Sequence, residues 1–442
     1  SQSSIPLVID KGVFVMWLTG DELLINTRFD IPAKHLYARY RESKYDTFYG
    51  HWIYSQHIAH WNGFKEYDDP TKSTESAFIE RYDELLDDIR DNGFDKERSE
   101  VPITEHRQPL NGSHRIAACL FHDKPIWSSI EDDGAGQRDC SSYFFRRQSM
   151  PEEVLDAMAT EYCRLKDKTR IVTLFPTATS DGEKSMEVRD ILCKYGMLIH
   201  EKGIGGHLGT NFAHNLMIQT YEGEDWIGDP SNSYAGAMQK AQLCYRDIDA
   251  PTVCFAVEFD DDESSRKAKE EIRELFGVGN HSVHINDTYE ETMKLARLFF
   301  NKNSLIFTFY GSIQDYSNFH AMLNEYREGI GTGNEDFCVT ASSVLSLFGI
   351  REGRDLDFLH NSKVDGDFEN PLLSSHNKEL DDYTTNLDNI LYNPLNHFWW
   401  NNIKFAAPNV IIEMKEKRGE EKDVRDVSML REKLEPIEDE QS

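Results

Sequence analysis

Asp355 and Asp357 are two residues apart in the segment Gly349-Ile350-Arg351-Glu352-Gly353-Arg354-Asp355-Leu356-Asp357-Phe358. In an extended strand, residues i and i+2 face the same way, so this D-x-D presents two carboxylates on one side. Such a pair suits a hard divalent cation held together with the phosphates of a nucleotide. Arg351 and Arg354 stand ready to offset charge beside it, and Lys404 offers a further cation for charge developing on a transferred phosphate. The same spacing also fits an exposed acidic strand end in an acidic protein.

A second constellation is Asn111-Gly112-Ser113-His114-Arg115-Ile116-Ala117-Ala118. A strand, a glycine turn and a helix start follow one another directly. The free N–H groups of a helix start favour an anion. His114 and Arg115 add charge-assisted donors. The alternative is a Ser N-cap followed by two solvent-facing polar residues. A third constellation runs Glu271-Ile272-Arg273, then Asn280, His284, Asp287 and Glu290. His284 ends an expected strand and Asp287 opens the next helix as its expected N-cap. A His with a nearby carboxylate can serve as nucleophile or base. The alternative is a half-buried His beside an ordinary cap.

Three segments position these groups. The first, 1–147, has helical pattern around His35–Tyr37 and from Trp52 to Trp61. It continues with an amphipathic helix over 78–89, a strand at 101–103, a helix over 114–121 and a strand at 124–127. A polar linker spans 131–142. The second segment, 148–303, has a helix over 151–165 and strands at 171–175, 197–201, 215–221, 253–258 and 281–285. Helices fall over 183–195, 264–276 and 289–300. This alternation, with antiparallel pairings, is that of a ferredoxin-like sandwich. The third, 304–434, has a helix over 341–347, a strand at 355–360, an Asn/Asp-rich loop to Asn396, a strand at 403–406 and a helix over 410–417. Residues 435–442 form a charged tail.

Composition narrows the function classes. Lys plus Arg is 48 and Asp plus Glu is 78, for a formal net charge of −30. Nucleic-acid binding leans on clustered basic side chains, and no such stripe is present. An acidic membrane surface would repel the chain. The apolar run Val13–Leu18 is too short to span a bilayer and lacks the flanks of a signal peptide. Cys119, Cys140, Cys163, Cys193, Cys244, Cys254 and Cys338 show no CxxC spacing and read as free thiols, so a cytoplasmic location is expected. His51, His57 and His60, among Trp and Tyr, read as packing residues. So does Trp399-Trp400, or as a stacking wall.

Each constellation resembles a known family. The segment PLNGSHRIAACLFHDKPI is similar to the DG-x-HR-x-x-A core of the ParB/sulfiredoxin-like fold. That resemblance implies phosphate contacts from Gly112, Ser113, His114 and Arg115, with Glu66 or Glu105 as a base. Asn111 stands where the family often has Asp. The stretch EEIRELF…NHSVHINDTYEETMKLARLFF is similar to nucleoside diphosphate kinase. It implies His284 as the phosphorylated residue and Arg273 as a phosphate ligand. Phe175 stands at that family's phosphate-binding Lys, and Leu295 at the Glu that orients the His. ASSVLSLFGIREGRDLDFL resembles the polymerase-β-like nucleotidyltransferase core, and NNIKFAAPNVIIEMKEKRGEEKDVRDVSML the closing helices of small nucleotidyltransferases and LicD-like phosphotransferases. This implies metal ligation by Asp355 and Asp357 and phosphate contacts from Ser342 and Ser343. Glu413 and Asp388 are candidates for the third carboxylate. The leading Gly of the family's Gly-Ser pair is Ala341 or Ser342 here.

The expected class is α+β and multi-domain: a ParB/sulfiredoxin-like domain, a ferredoxin-like sandwich and a nucleotidyltransferase-like mixed sheet. The combination resembles uncharacterised proteins associated with surface polysaccharides. The expected function is a phosphoryl- or nucleotidyl-transferase dependent on Mg²⁺ (or Mn²⁺). It would use a nucleotide or nucleotide-sugar donor on a sugar or polyol acceptor. A nucleotide-sugar glycosyltransferase and a non-catalytic nucleotide-sensing scaffold are the alternatives.

Overall fold

The computed structural model describes residues 8–10, 13–66, 69–131, 139–205, 207–366 and 368–440. Most of the expected linker, residues 132–138, lies outside them. The chain divides into two compact units. One comprises residues 1–170, 195–201 and 255–262, the other 171–194, 202–254 and 263–442. Among the described residues no helix is long and apolar enough to cross a membrane. All seven cysteines are free thiols, and six are buried.

The first unit contains strands β1 (Val8–Asp10), β2 (Val13–Leu18), β3 (Val101–Ile103) and β4 (Ile126–Ile130), in the order β1-β2-β4-β3. Pro102 is tolerated because β3 is an edge strand, where a missing N–H breaks no ladder. The helix Glu75–Asn92 buries Phe78, Tyr82, Leu86 and Ile89, one side chain per turn on a single stripe. Thr74 Oγ1 caps it by accepting from the N–H of Ala77, and Gly93 ends it at φ 74°. β3 connects to β4 through the helix Ser113–Phe121, which buries Ile116, Ala117, Ala118 and Cys119.

Strands β5 (Thr169–Leu174), β6 (Gly196–Ile204), β7 (Thr252–Phe259) and β8 (Val283–Ile285) form a sheet of order β6-β7-β5-β8. The helices Gly182–Tyr195 and Asp262–Phe276 connect β5 to β6 and β7 to β8. The strand expected at 215–221 is instead part of the helix Thr210–Thr220. Its residues from Asn215 to Thr220 are all buried, the polar Asn215 and Gln219 included, so polarity does not mark a solvent face and the apolar Leu216-Met217-Ile218 reads as a strand. Asn215 Nδ2 donates to the carbonyls of Thr308 and Gly311, and Gln219 Nε2 donates to Thr308 Oγ1.

The second unit carries a five-stranded sheet of order β11-β10-β9-β13-β12. Its strands are β9 (Phe337–Val339), β10 (Leu356–His360), β11 (Leu373–Ser375), β12 (His397–Trp400) and β13 (Ile403–Ala406). β10 runs antiparallel to β9 and parallel to β11, and β13 is parallel to β9. Asn401 and Asn402, both at positive φ, make the two-residue hairpin turn from β12 to β13. Trp399 and Trp400 are buried in this sheet, as expected of core residues. The expected Asn/Asp-rich loop holds β11 and the helix Leu387–Tyr392, and the expected tail continues the helix Glu421–Glu440.

Helices Pro408–Arg418 and Glu421–Glu440 are joined by a buried ion network. Lys415, 2% exposed, donates to Asp423 and Asp426 at 2.8 Å each. Arg418 grips Asp423 through two nitrogens and Arg351 grips Asp426 likewise. Lys415→Met should leave two buried carboxylates under-compensated and destabilise the chain by roughly 3–5 kcal/mol, read as a lower urea midpoint.

Candidate functional site

In the first unit, a cleft of about 420 Å³ opens at the N-terminus of the helix Ser113–Phe121. Gly112, at φ +88°, makes the turn; a Cβ there would lie 3.0 Å from the Arg115 guanidinium and 3.1 Å from Val101, so any other residue would be strained. Asn111, Ser113, His114 and Arg115 all line the cleft, as does Glu66. Glu105 is exposed and does not line it. Arg115 Nη1 donates to the carbonyl of Glu100. His114 Nε2 is 2.9 Å from Tyr54 Oη, and its ring lies against Tyr54 and Tyr82. Burial, with Lys34 and Lys72 nearby, holds its pKa well below the usual imidazole value, so it stays neutral.

The cleft floor is a charge cluster absent from the sequence reading. Arg28 grips Asp30 through Nε and Nη2, both at 3.0 Å, and donates Nη1 to the Pro109 carbonyl. Lys34 Nζ is 3.0 Å from the same Asp30 and 2.8 Å from His57 Nε2. Burial opposes the Asp30 carboxylate, yet Arg28 and Lys34 hold its pKa well below the ordinary range. Burial and Lys34 push His57 well below its ordinary value, so it accepts rather than repels. Two cations therefore share one carboxylate beneath a helix N-terminus, and the cleft floor favours an anion. His57 belongs to this cluster, whereas His51 pairs with Glu75 and His60 with the carbonyl of Gln56.

In the second unit, His284 sits on β8 with its ring 5.1 Å from that of Tyr221. Its Nε2 is buried without a hydrogen-bond partner among the described residues. Burial, with Lys269 nearby, lowers its pKa to about 3. Arg273 and Lys240 lie close to the same Tyr221. Asp287 points away to Lys269, at 3.0 Å, and is exposed. The N-cap of the helix Tyr289–Phe299 is Thr288, in a capping box with Glu291, and not Asp287. Phe175 and Leu295 are both buried.

Asp355 and Asp357 lie at the start of β10, where Asp357 is buried and Asp355 half-buried. Ser343 Oγ lies 3.5 Å from the Asp355 carbonyl and 3.4 Å from the Asp357 nitrogen, tying the acid pair to the helix Ser342–Leu347. Ala341, just before that helix, has φ 51° and ψ −128°, a conformation that favours glycine. It thus stands where a Gly-Ser turn has its glycine, and Ser342 is the first helical residue. Burial, Asp355 and Glu379 push the Asp357 carboxyl up to about 7. The nearby cations, Arg418 and Lys415, are committed to Asp423 and Asp426. His376 Nε2 is 3.3 Å from Asp357 Oδ1, and burial lowers its pKa.

The other expected ligands fall elsewhere. Arg351 is engaged by Asp426, and Arg354 is exposed. Lys404 is buried on β13 with Nζ donating to the carbonyls of Glu335 and Leu391; burial lowers its pKa to about 8. Glu413 accepts from Thr384, and Asp388 lies in the first turn of the helix Leu387–Tyr392. Glu379 and His376 were missed because the bond between β10 and the region after β11 is not written in local spacing.

No family model, curated protein or solved structure matches the chain.

The raised Asp357 pKa has a stability consequence. A carboxyl with a folded pKa near 7 and an unfolded pKa near 4 keeps a proton that favours the folded state at low pH. That stabilisation is complete below about pH 4 and lost as pH rises through about 7. Asp357→Asn should therefore gain on the parent chain by roughly 2–4 kcal/mol between about pH 4 and about pH 8, read from urea unfolding at both.

Proposed function

We propose that this chain is a phosphoryl- or nucleotidyl-transferase in which Asp355 and Asp357 hold Mg²⁺ or Mn²⁺ against the phosphates of a nucleotide or nucleotide-sugar donor. The observation that carries the reading is the carboxylate pair at the start of β10, where Asp357 is buried with Asp355 and Glu379 nearby while the neighbouring Lys415 and Arg418 are engaged by Asp423 and Asp426. Proximity of like charges at a buried position is costly unless a cation relieves it, so these residues fit a divalent ion. A bound ion would neutralise the phosphate oxygens of the donor. Ser343 fixes the backbone that carries both acids, and the turn at Ala341 supports the likeness to the Gly-Ser turn of nucleotidyltransferases. The order β6-β7-β5-β8, with a helix before β6 and another before β8, supports the ferredoxin-like reading of that sheet. The strand–Gly turn–helix at Gly112 supports a ParB/sulfiredoxin-like first unit that grips a phosphate of donor or acceptor. A sugar or polyol fits the acceptor role, in a cytoplasmic enzyme.

A second reading is a nucleotide-binding scaffold without turnover. It is favoured by His284, held neutral with its Nε2 buried beside Tyr221, which is ill-suited to carry a phosphoryl group.

Nucleotides and nucleotide sugars titrated calorimetrically, with and without Mg²⁺ or Mn²⁺, decide between them. Asp355→Asn and Asp357→Asn should each weaken metal-dependent binding by at least ~10-fold, about 1.4 kcal/mol. Unchanged affinity and turnover in both would remove the site from consideration, and tight binding with no product from any donor would favour the scaffold. Glycosyl transfer is recognised by release of the free nucleoside diphosphate with no phosphorus left on the acceptor. In the cleft, Lys72→Ala should lower affinity for a phosphorylated ligand about 10-fold with no change in thermal midpoint, because Lys72 lines the site without joining the buried cluster.

A further inference from the structure

We infer that Glu152, Asp156 and His200 in the first unit form a binding site for a first-row transition-metal dication, Zn²⁺ or Mn²⁺. Among the described residues they are the one group of three His, Cys, Asp or Glu side chains whose ligand atoms all lie within 4.8 Å of one another. Glu152 and Asp156 are four apart on the helix Glu152–Leu165, so their carboxylates project from one face. His200 enters from β6. Its Nε2 is 3.6 Å from Asp156 Oδ1 and 3.8 Å from Glu152 Oε1. Those separations exceed a hydrogen bond. They approach the spacing of about 3.3–3.5 Å between two ligands each about 2.1 Å from a common tetrahedral ion.

Burial of Asp156 and His200, with Glu152 half-exposed at the rim, separates this set from an ordinary acidic surface. His200 is 0% and Asp156 3% exposed. The Phe29 ring stacks on the imidazole with centroids 6.0 Å apart, keeping water from that face. The flanking backbone is braced: Ser142 Oγ donates to the Ile199 carbonyl and Arg146 Nη2 to that of Glu201. The same Arg146 nitrogen is 3.1 Å from Glu152 Oε1, so it orients that carboxylate and competes with a cation for it. One imidazole with two carboxylates favours a first-row transition ion, Zn²⁺ most strongly, over Mg²⁺ or Ca²⁺, which prefer oxygen alone. Three protein ligands leave a fourth position open to water or a small anion.

Calorimetric titration of the chelator-stripped full chain with Zn²⁺, repeated with Mn²⁺ and with Mg²⁺ as competitor, tests the site. The expected result is about one Zn²⁺ or Mn²⁺ per chain at this site, not displaced by Mg²⁺, with a chelator-reversible rise in thermal midpoint. Glu152→Gln and Asp156→Asn should weaken that binding at least ~10-fold, and Arg146→Gln should strengthen it. Asp357→Asn should leave it intact, which separates this site from the carboxylate pair on β10. No saturable Zn²⁺ or Mn²⁺ binding by the parent chain would overturn the inference. Equal binding by folded Glu152→Gln and the parent would do the same.

Discussion

Lys415 stands between Asp423 and Asp426, all three buried, and Arg418 and Arg351 close the same network from either side. Charge buried this deeply has to be matched where it lies, because the interior cannot solvate it. That constraint organises the second unit. It fastens the two last helices to each other and to Arg351 in the segment leading into β10. It also engages Lys415 and Arg418, whose charges act on Asp357. Burial, with Asp355 and Glu379 nearby, outweighs them, and the proton affinity of Asp357 rises.

The first unit answers the same constraint with the opposite sign. Asp30 is outnumbered by Arg28 and Lys34, and His57, kept neutral, accepts from the lysine instead of adding charge. The surplus lies under the free N–H groups of the helix that begins at Ser113. A chain with a formal charge of −30 therefore gathers a local surplus of cations at a helix N-terminus. Net charge excludes broad polyanion binding and says nothing against a single buried surplus cation.

The three motifs differ in how much of their surroundings they needed. The Gly112 turn was legible because a left-handed residue before a helix is a local requirement, and only Gly meets it without strain. The Asp355–Asp357 pair was legible from period-two spacing, and β13 at Ile403–Ala406 from its apolar run between turns. The helix Thr210–Thr220 was not, because uniform burial erases the periodicity that distinguishes a helix from a strand. The cap at Thr288 was missed by one residue: Asp287 and Thr288 are both good caps, Glu291 accepts from the N–H of each, and the choice rests on Thr288 Oγ1 accepting from the Glu291 N–H.

Sequence alone determined the α+β character, the free thiols, the strand at 101–103 and the positions where backbone or spacing prescribe a turn or a paired face. These follow from interactions within a few residues along the chain. Tertiary structure decided which charges remain available. Lys404 was withdrawn to backbone carbonyls, Arg351 to Asp426 and His284 behind Tyr221. Meanwhile Arg28, Lys34, Glu379 and the set Glu152, Asp156 and His200 were brought to places that no spacing announces. The reason is physical: the energy of a charge depends on its neighbours in space and on its distance from water, and neither is fixed until the chain has folded.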